Sequence, residues 1–168
     1  MTTGPAITSR QGTPYVRVSG LFYRALDRRF LHRALAGSSK PGRYSRPDQP
    51  TLYMSATEAG VAAAMQAHSG PDTPERALAV LQVEAADILD LRNEAACHAL
   101  GVDLADALAP WQEVVKAGGE PRSWQVADHL RALGANGLID PSRTAPGLWH
   151  LVLFEWNLPG RPVVRLVG

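Results

Sequence analysis

One long apolar run constrains the fold more than any other part of the sequence. The run ALAVLQVEAADILDL, residues 77–91, is rich in leucine and β-branched side chains and contains neither Gly nor Pro. Such a run predicts a strand that is buried in a sheet. Shorter apolar runs predict further strands towards both ends of the chain, at residues 15–18, 20–26, 51–55, 137–140, 148–157 and 162–168.

Helices are predicted between these strands. The segment DRRFLHRALAGSS, residues 27–39, predicts a short helix or turn that ends at Gly37. Residues 55–68 predict a helix with Ser55 as its N-cap and Glu58 as the capping-box partner. The apolar face of this helix is formed by Val61, Ala64, Met65 and His68.

Two further helical regions follow the long strand. Residues 103–118 predict short helices that are interrupted at Pro110, because proline removes a helical hydrogen bond. Residues 123–137 predict an amphipathic helix that Ser123 caps and Gly134 ends. Strands near both ends with helices between them predict an α+β fold, with a mixed sheet and flanking helices.

The length of 168 residues fits a single domain. Hydrophobic residues make up 45% of the chain and charged residues 20%, a globular composition that predicts a packed core. Residues 1–14 are rich in Thr, Gly, Ser and Pro and are predicted to form a loose N-terminal tail. Residues 15–168 are predicted to form the folded domain.

The charge balance argues against nucleic acid or anionic lipid as a partner. The chain has 17 basic and 16 acidic side chains and a formal net charge of +1, so no overall field would attract a polyanion. The basic residues are nevertheless concentrated in the first third of the sequence. There they either line a pocket that binds an anion or lie on a solvated face.

Cysteine usage and hydropathy indicate the compartment. The single cysteine, Cys97, excludes an intrachain disulfide and is typical of a reducing environment. The sequence has no signal-peptide core and no run of the ~18 apolar residues that a membrane helix needs. We therefore expect a cytoplasmic protein without a membrane partner.

Several kinds of active site are excluded by missing motifs. The five histidines show no paired helical spacing and there is one cysteine, so no metal site is expected. A G-x-S-x-G nucleophile motif, a Walker loop and a G-x-G-x-x-G fingerprint are all absent. Cys97 and His98 are neighbours on a predicted helix and would point apart, so Cys97 is interpreted as a small buried hydrophobe.

Arginines next to tyrosines are the remaining chemical signal, in FYRAL, GRYSRP and LYMS. The planar arginine fork matches phosphate oxygens, and tyrosine offers a flat face for a base or nicotinamide ring, so the combination suits a dinucleotide. A structural interpretation stays open and is favoured on spacing alone. It is a surface arginine cluster, with Tyr23 and Tyr53 as core aromatics whose hydroxyls reach the rim.

The segment NGLIDPSRT leaves a similar choice. Ser142 could present its hydroxyl to a ligand, and Arg143 could add positive charge beside it. Equally, Asp-Pro-Ser is an ordinary turn sequence. The segment alone does not decide between a ligand site and a turn.

Five segments carry a family resemblance when they are taken in order. They are YRAL, GRYSRPDQPTLYMSATEAGVAAA, LQVEAADILDL, SWQVADHLRALGANGLIDPSRT and LWHLVLFEWN. Together, from about Tyr15 to Asn157, they resemble the RES domain, the toxin half of a bacterial toxin–antitoxin module. The order and spacing of the segments carry the resemblance, since no single one is diagnostic.

The resemblance implies an enzyme that degrades NAD+ as its substrate and uses no cofactor. The reaction would be phosphorolysis or hydrolysis of the nicotinamide–ribose bond, on a fold similar to that of ADP-ribosyltransferases. The implied partner is a helix-turn-helix (Xre-type) antitoxin that covers the active site in an oligomeric complex. Two alternatives stay open: transfer of ADP-ribose to a protein, and a catalytically weakened module that binds NAD and the antitoxin.

Site residues are implied by matching the family motifs to this sequence. Arg24 and Arg43 would hold the pyrophosphate. Tyr53 would stack or bond near the nicotinamide ribose, and Ser142 would bond the nicotinamide side or the nucleophile. Catalytic roles fall on Arg43, Tyr53 and Ser142, and substrate binding on Tyr23, Arg24 and Gln66.

The family glutamate has no counterpart at its expected place. An ungapped match from Tyr53 falls on Ala64, and Gln66 nearby could hold a ribose hydroxyl but carries no charge. A carboxylate beside the ribose would stabilise the oxocarbenium character that develops as the bond breaks. Either another acid such as Glu84 or Glu155 reaches the site, or turnover is altered, or the protein only binds its ligand.

Overall fold

The computed structural model describes residues 4–66 and 75–167, except for the side chains of Met65 and Gln66. The strands are β1 (Ala6–Ser9), β2 (Val16–Asp27), β3 (Leu52–Ser55), β4 (Arg76–Asp90), β5 (Gly137–Pro141), β6 (Trp149–Leu153) and β7 (Val163–Leu166). The α-helices are α1 (Glu58–Gln66), α2 (Glu94–Ala99), α3 (Leu104–Leu108), α4 (Gln112–Lys116) and α5 (Arg122–Ala132), and Arg28–Arg33 forms a 3₁₀ helix. The predicted α+β fold is confirmed.

The seven strands form one mixed sheet in the order β1-β2-β3-β6-β5-β4-β7. Because β2 also pairs with β4, the pairings through β2, β3, β6, β5 and β4 return to their starting point and form a closed ring. Of the pairings in the described chain, β4 with β5 is parallel and the others are antiparallel. The contact between β2 and β3 is a single residue pair, Tyr23 with Ser55, so the ring has one narrow seam.

Strand β4 is the long strand that the sequence predicted. It pairs with β2 along one edge and with β7 and β5 along the other. Its alternate side chains Ala79, Leu81 and Val83 are fully buried. Pairing on both edges explains why the run has no proline, which could not donate to a ladder.

Two hydrophobic clusters lie on opposite faces of the ring. One contains inward side chains of the ring strands, such as Phe22, Leu81 and Leu151. The other joins Leu138 of β5 and Val152 of β6 to residues of α2, α3 and α5. Strands β5 and β6 are therefore buried on both faces, which explains their almost continuous apolar sequence.

Helix α5 ends as predicted but begins differently. Gly134 has a φ of +86°, and the amides of Gly134 and Ala135 donate to the carbonyls of Arg131 and Leu130, which is the Schellman C-terminal arrangement. The prediction that Ser123 caps the helix is wrong. The helix begins at Arg122 after Pro121, and the buried Ser123 hydroxyl donates to a distant carbonyl.

Helix α1 also has a different N-terminus from the one predicted. Thr57 Oγ1 accepts a hydrogen bond from the Gly60 amide at 2.9 Å, so Thr57 is the cap and Glu58 begins the helix. Ser55 remains in β3, because its backbone pairs with β6. The predicted capping box is therefore wrong. His68 and the side chain of Met65 lie outside the described residues.

The predicted interruption at Pro110 is confirmed, since Pro110 lies between α3 and α4. The prediction of a short helix or turn within residues 27–39 is confirmed as the 3₁₀ helix Arg28–Arg33, but the predicted end at Gly37 is wrong, because the helix ends at Arg33.

The prediction of a loose tail is wrong for Ala6–Ser9. These residues form β1, which pairs antiparallel with Val16–Ser19 of β2. The edge of β2 offers unpaired backbone groups there, and pairing satisfies them despite the turn-rich composition of the segment. Among residues 4–66 and 75–167, no helix has the length and apolar character needed to cross a bilayer.

Candidate active site

Four strands each contribute one polar side chain to a line across the sheet. Tyr23 of β2 lies opposite Ser55 of β3, Ser55 lies opposite His150 of β6, and His150 lies opposite Asp140 of β5. Directly opposed residues share a face of the sheet, so the four side chains form one polar row. All four line the same cleft.

The cleft has a volume of about 550 Å³, which is large enough for a nucleotide-sized ligand. The polar row forms its floor. Its walls come from α1, from the segment before β3, from the α3–α4 junction and from the loop after β5. The residues that line these walls include Pro41, Gly42, Arg43, Val61, Ala64, Trp111, Gln112, Ser142, Arg143 and Thr144.

The segment before β3 that lines the cleft is hydrogen-bonded to helix α5. The Gly42 carbonyl accepts a hydrogen bond from Trp124 Nε1 at 2.8 Å, and the Arg43 carbonyl accepts one from Ser123 Oγ. A Cβ atom at Gly42 would lie 2.5 Å from the Tyr53 hydroxyl oxygen, so only glycine allows this close approach. The glycine next to Arg43 in the sequence therefore has a steric role in building the cleft.

Arg24 and Arg43 bring positive charge to the cleft. Arg24 Nη1 donates to the carbonyls of Ala34 and Ala36, and Arg43 Nη1 donates to the Ala109 carbonyl at 2.7 Å. In the described part of the chain neither guanidinium forms an ion pair. Burial lowers the pKa of both, but a guanidinium remains charged at neutral pH. Two partly buried cations without carboxylate partners favour an anion in the cleft.

Other arginines of the basic first third behave differently. They form ion pairs outside the cleft, and the pairs are Arg17 with Glu84, Arg28 with Glu75, Arg29 with Asp27, and Arg46 with Glu120 and Asp128. The two interpretations of the basic cluster therefore apply to different residues. These four arginines form ion pairs on the protein surface, as the structural interpretation expects. Arg24 and Arg43 line the cleft, which fits the interpretation as a pocket for an anion.

Tyr53 lines the cleft with its hydroxyl already engaged by protein groups. The oxygen accepts a hydrogen bond from the Tyr44 amide at 3.1 Å and lies 2.7 Å from Ser45 Oγ. Burial raises the pKa of this phenol, so it is neutral at physiological pH. Tyr53 can therefore offer its ring to a ligand more readily than its oxygen.

Ser142 borders the cleft within a turn. Its Oγ accepts a hydrogen bond from the Ala145 amide at 3.2 Å and lies 3.5 Å from Thr144 Oγ1. The interpretation as a turn is therefore confirmed, and the predicted ligand contact of Ser142 stays a prediction for a residue that lines the cleft. Its hydroxyl hydrogen remains able to donate to a ligand.

Asp140 is one of the cleft residues that sequence reasoning missed, together with Ser55, Trp111 and His150. The Asp140 side chain is buried in the cleft, where it accepts a hydrogen bond from the Tyr44 hydroxyl at 2.8 Å and two from Arg143 at 3.2 and 3.3 Å. Among the described residues that line the cleft it is the only carboxylate. The signal was an acid at the end of a buried run, followed three residues later by an arginine.

The position expected for the family glutamate lies in the cleft, where Ala64 of α1 contributes to the wall. Neither of the acids considered as substitutes reaches the site. Glu84 bonds to Ser19 Oγ at 2.6 Å, and Glu155 pairs with Arg161 at 2.7 Å, away from the cleft. The side chain of Gln66 is outside the described part of the structure.

Cys97 is buried in the second cluster, as the sequence suggested. Burial raises the pKa of its thiol, so it is not a reactive thiolate. Within the described residues, no group of three or more His, Cys, Asp and Glu side chains is arranged to hold a metal ion.

The family model described as "RES domain" matches residues 21–166. The chain belongs to the RES-domain family. The predicted resemblance, from about Tyr15 to Asn157, is thereby confirmed. No curated protein sequence matches the chain.

A solved structure has a similar fold to this RES domain. It is the M. tuberculosis MbcT-MbcA toxin-antitoxin complex, with a TM-score of 0.58 and 19% sequence identity. The match covers 88% of this chain and 81% of that chain. At this level of identity the likeness concerns the fold.

Proposed function

We propose that this RES domain is a toxin that cleaves the nicotinamide–ribose bond of NAD+. The observation that carries the proposal is the pair of partly buried guanidiniums, Arg24 and Arg43, which border one cleft without ion pairs in the described chain. A pyrophosphate carries two negative charges at neutral pH and accepts charge-assisted hydrogen bonds from such groups.

Aromatic side chains support a dinucleotide over a simple phosphate. Tyr23, Tyr53 and Trp111 line the same cleft and offer faces for a base or a nicotinamide ring. The volume of about 550 Å³ accepts a ligand larger than a single phosphate group. Asp140 adds negative charge, which suits the cationic nicotinamide ring of NAD+.

The reaction breaks the bond between C1′ of the ribose and the pyridinium nitrogen. The bonding electron pair moves to that nitrogen, so nicotinamide leaves as a neutral molecule while positive charge develops on the ribose. Asp140 would stabilise this charge, although Tyr44 and Arg143 already share its negative charge. The acceptor at C1′ is water or phosphate.

An antitoxin is the proposed partner. The solved structure with a similar fold is a toxin–antitoxin complex, which supports a partner protein for this chain, and we propose that this partner covers the cleft. In the proposal this partner is a helix-turn-helix protein of the Xre type, bound in an oligomeric complex. The single cysteine is consistent with a reducing compartment, so a cytoplasmic location is part of the proposal.

The test is NAD+ loss on incubation with purified protein, with and without phosphate, and with the products resolved by mass. Release of nicotinamide is expected, and the mass of the second product identifies the acceptor. The variant R43A is expected to lower the rate, whereas R28A is a matched control because Arg28 is an exposed residue paired with Glu75 outside the cleft. Label that accumulates on protein instead of free ADP-ribose would indicate an ADP-ribosyltransferase.

One observation favours a second candidate, a weakened module that binds NAD and the antitoxin. Ala64 occupies the cleft where the family pattern has a glutamate, and the described lining contains no glutamate. Binding of NAD+ without any loss of NAD+ at high protein concentration would favour this candidate over the enzyme.

A further inference from the structure

The polar row contains a serine, a histidine and an aspartate on neighbouring strands. Binding of an anion by Arg24 and Arg43 gives these three residues no role. Ser55 Oγ lies 2.8 Å from His150 Nδ1. Asp140 lies directly opposite His150 in the pairing of β5 with β6, so both side chains project from the same face. A histidine that is hydrogen-bonded to a hydroxyl and lies next to a carboxylate on the neighbouring strand is suited to proton transfer.

The second ring nitrogen of His150, Nε2, is not engaged by the described part of the protein. His150 lines the cleft, and within residues 4–66 and 75–167 its Nε2 has no hydrogen-bond partner in the protein. When Nδ1–H donates to Ser55 Oγ, the Nε2 lone pair is free to accept a proton from a molecule in the cleft. Ser55 is thus a positioning residue that fixes the tautomer and the orientation of the ring.

The charges around His150 come from two directions. Burial lowers the pKa of its imidazole, the Asp140 carboxylate on β5 opposes this change, and the Arg143 guanidinium after β5 adds to it. The polar neighbours on β2 and β3 are Tyr23 and Ser55. The imidazole is therefore neutral at pH 7, the form that a general base requires.

We propose that His150 is the general base that activates the acceptor, and that the acceptor is therefore water. This inference rests on the proposed cleavage of NAD+ and deepens it. A phosphate ion is already an anionic nucleophile at neutral pH and can attack without giving up a proton. Water must lose one, so a free imidazole nitrogen in the cleft is useful for hydrolysis and has no comparable use in phosphorolysis.

The step balances without a further reactant. The water oxygen forms a bond to C1′ as the bond from C1′ to the nicotinamide nitrogen breaks, and that electron pair neutralises the pyridinium. One proton of the water moves to His150 Nε2 and then to solvent. The products are ADP-ribose, nicotinamide and one proton. Asp140 stabilises the transient imidazolium, because an adjacent carboxylate favours the charged form.

The experiment compares wild type with H150N, which keeps an amide N–H donor near the Nδ1 position but has no base at Nε2. We expect kcat of NAD+ loss to fall about 10²–10⁴-fold, the usual contribution of a general base, with KM changed much less. For wild type, kcat is expected to fall tenfold per pH unit on the acid side, and the profile of H150N is expected to be flat there. ADP-ribose is expected as the product, at a rate independent of phosphate.

Two controls separate chemistry from folding. H98N changes an exposed histidine that lines another surface and is expected to keep the wild-type rate. S55A retains the imidazole of His150 but removes its partner at Nδ1. We expect intermediate activity and a shift in the pH at which kcat falls on the acid side. If H150N fails to fold by thermal melting, the acid limb and product of wild type still test the inference.

Some outcomes would overturn the role of His150. One is a product that is phosphorylated at the same C1′ and forms only when phosphate is present. The others are an H150N rate equal to that of wild type, and a wild-type kcat that does not fall at acid pH. Each of them is compatible with NAD+ loss, so only this inference would fail. Complete absence of NAD+ loss by wild type would instead overturn the proposed function together with it.

Discussion

The Tyr44 hydroxyl donates to Asp140 Oδ1 at 2.8 Å and so joins the segment before β3 to the end of β5 across 96 residues of sequence. Both residues are buried, and burial next to this carboxylate raises the pKa of the Tyr44 phenol well above its ordinary value. The tyrosine is therefore always a donor. It holds in place the one carboxylate among the described residues that line the cleft.

Replacing Tyr44 with Phe removes this hydroxyl and keeps the ring. We expect the free energy of unfolding to fall by about 1–3 kcal/mol, because Asp140 loses a buried donor. Urea denaturation measures the change. Y15F is the matched control, since the Tyr15 hydroxyl has no hydrogen-bond partner in the described chain, and it is expected to change little. Equal effects of Y44F and Y15F would contradict the prediction.

Arg24 and Arg43, which form no ion pair in the described chain, predict how NAD+ is held. R43A is expected to weaken NAD+ binding by about 1.5–3 kcal/mol, the range for hydrogen bonds to charged groups. R43K retains the charge but loses the planar fork, so an intermediate affinity is expected. Isothermal titration calorimetry measures all three proteins. The control R28A lies outside the cleft, and an affinity of R43A equal to that of R28A would remove Arg43 from the site.

Ala64 offers a test of the missing carboxylate. A64E places an acid on the cleft side of α1, and we expect kcat for NAD+ loss to rise at least about tenfold, because a carboxylate stabilises the developing ribose cation. A62E adds the same charge to the same helix at an exposed position that does not line the cleft. A rise in both variants, or in neither, would show that this position does not act on the reaction.

Gly42 tests the steric basis of the cleft wall. G42A would bring a methyl group to 2.5 Å from the Tyr53 hydroxyl oxygen, so the segment must shift. We expect a loss of about 1–3 kcal/mol in the free energy of unfolding, as for overpacked sites, with weaker NAD+ binding. G4A is the control, because a methyl group there has no neighbour within 4 Å. Calorimetric melting that gives both variants the same stability would refute the steric argument.

The lowered pKa of His150 predicts a pH dependence of stability. The unfolded chain takes up a proton at His150 near pH 6.5, whereas the folded protein takes it up only at lower pH. The contribution of this group to stability is therefore complete above pH 6.5 and is lost as the pH falls through the folded pKa. We expect the difference in unfolding free energy between wild type and H150N to depend on pH in that window. A constant difference would mean that the histidine is not perturbed.

Local patterns predicted the elements better than the site. The β4 run and the Gly134 helix end depend on residues close in sequence, and both are found. The capping box failed because Ser55 and Thr57 both precede α1, and the sheet pairing that holds Ser55 in β3 comes from distant strands. The polar row was not predicted for the same reason, since the pairing of Asp140 with His150 depends on which strands become neighbours.

Arg24 and Arg43 show what the family resemblance adds. Spacing alone gave no way to separate them from the paired arginines nearby, because an ion pair such as Arg28 with Glu75 depends on the three-dimensional arrangement. The resemblance selected both, and the structure places both in the cleft. Asp140 and His150 lie within the matched segments, but the resemblance assigned neither of them a role in the site, so only the structure brings them forward.

The seam between β2 and β3 gives the ring of strands a weak point that coincides with the cleft floor. One residue pair, Tyr23 with Ser55, joins these two strands, whereas β2 and β4 pair along most of their lengths. Strand separation is therefore least costly where Tyr23 and Ser55 meet. A ligand that contacts both residues would hold β2 and β3 together at this pair. Occupancy of the cleft would therefore slow amide hydrogen exchange in β3. Binding of the substrate would then also stabilise the pairing of β2 with β3.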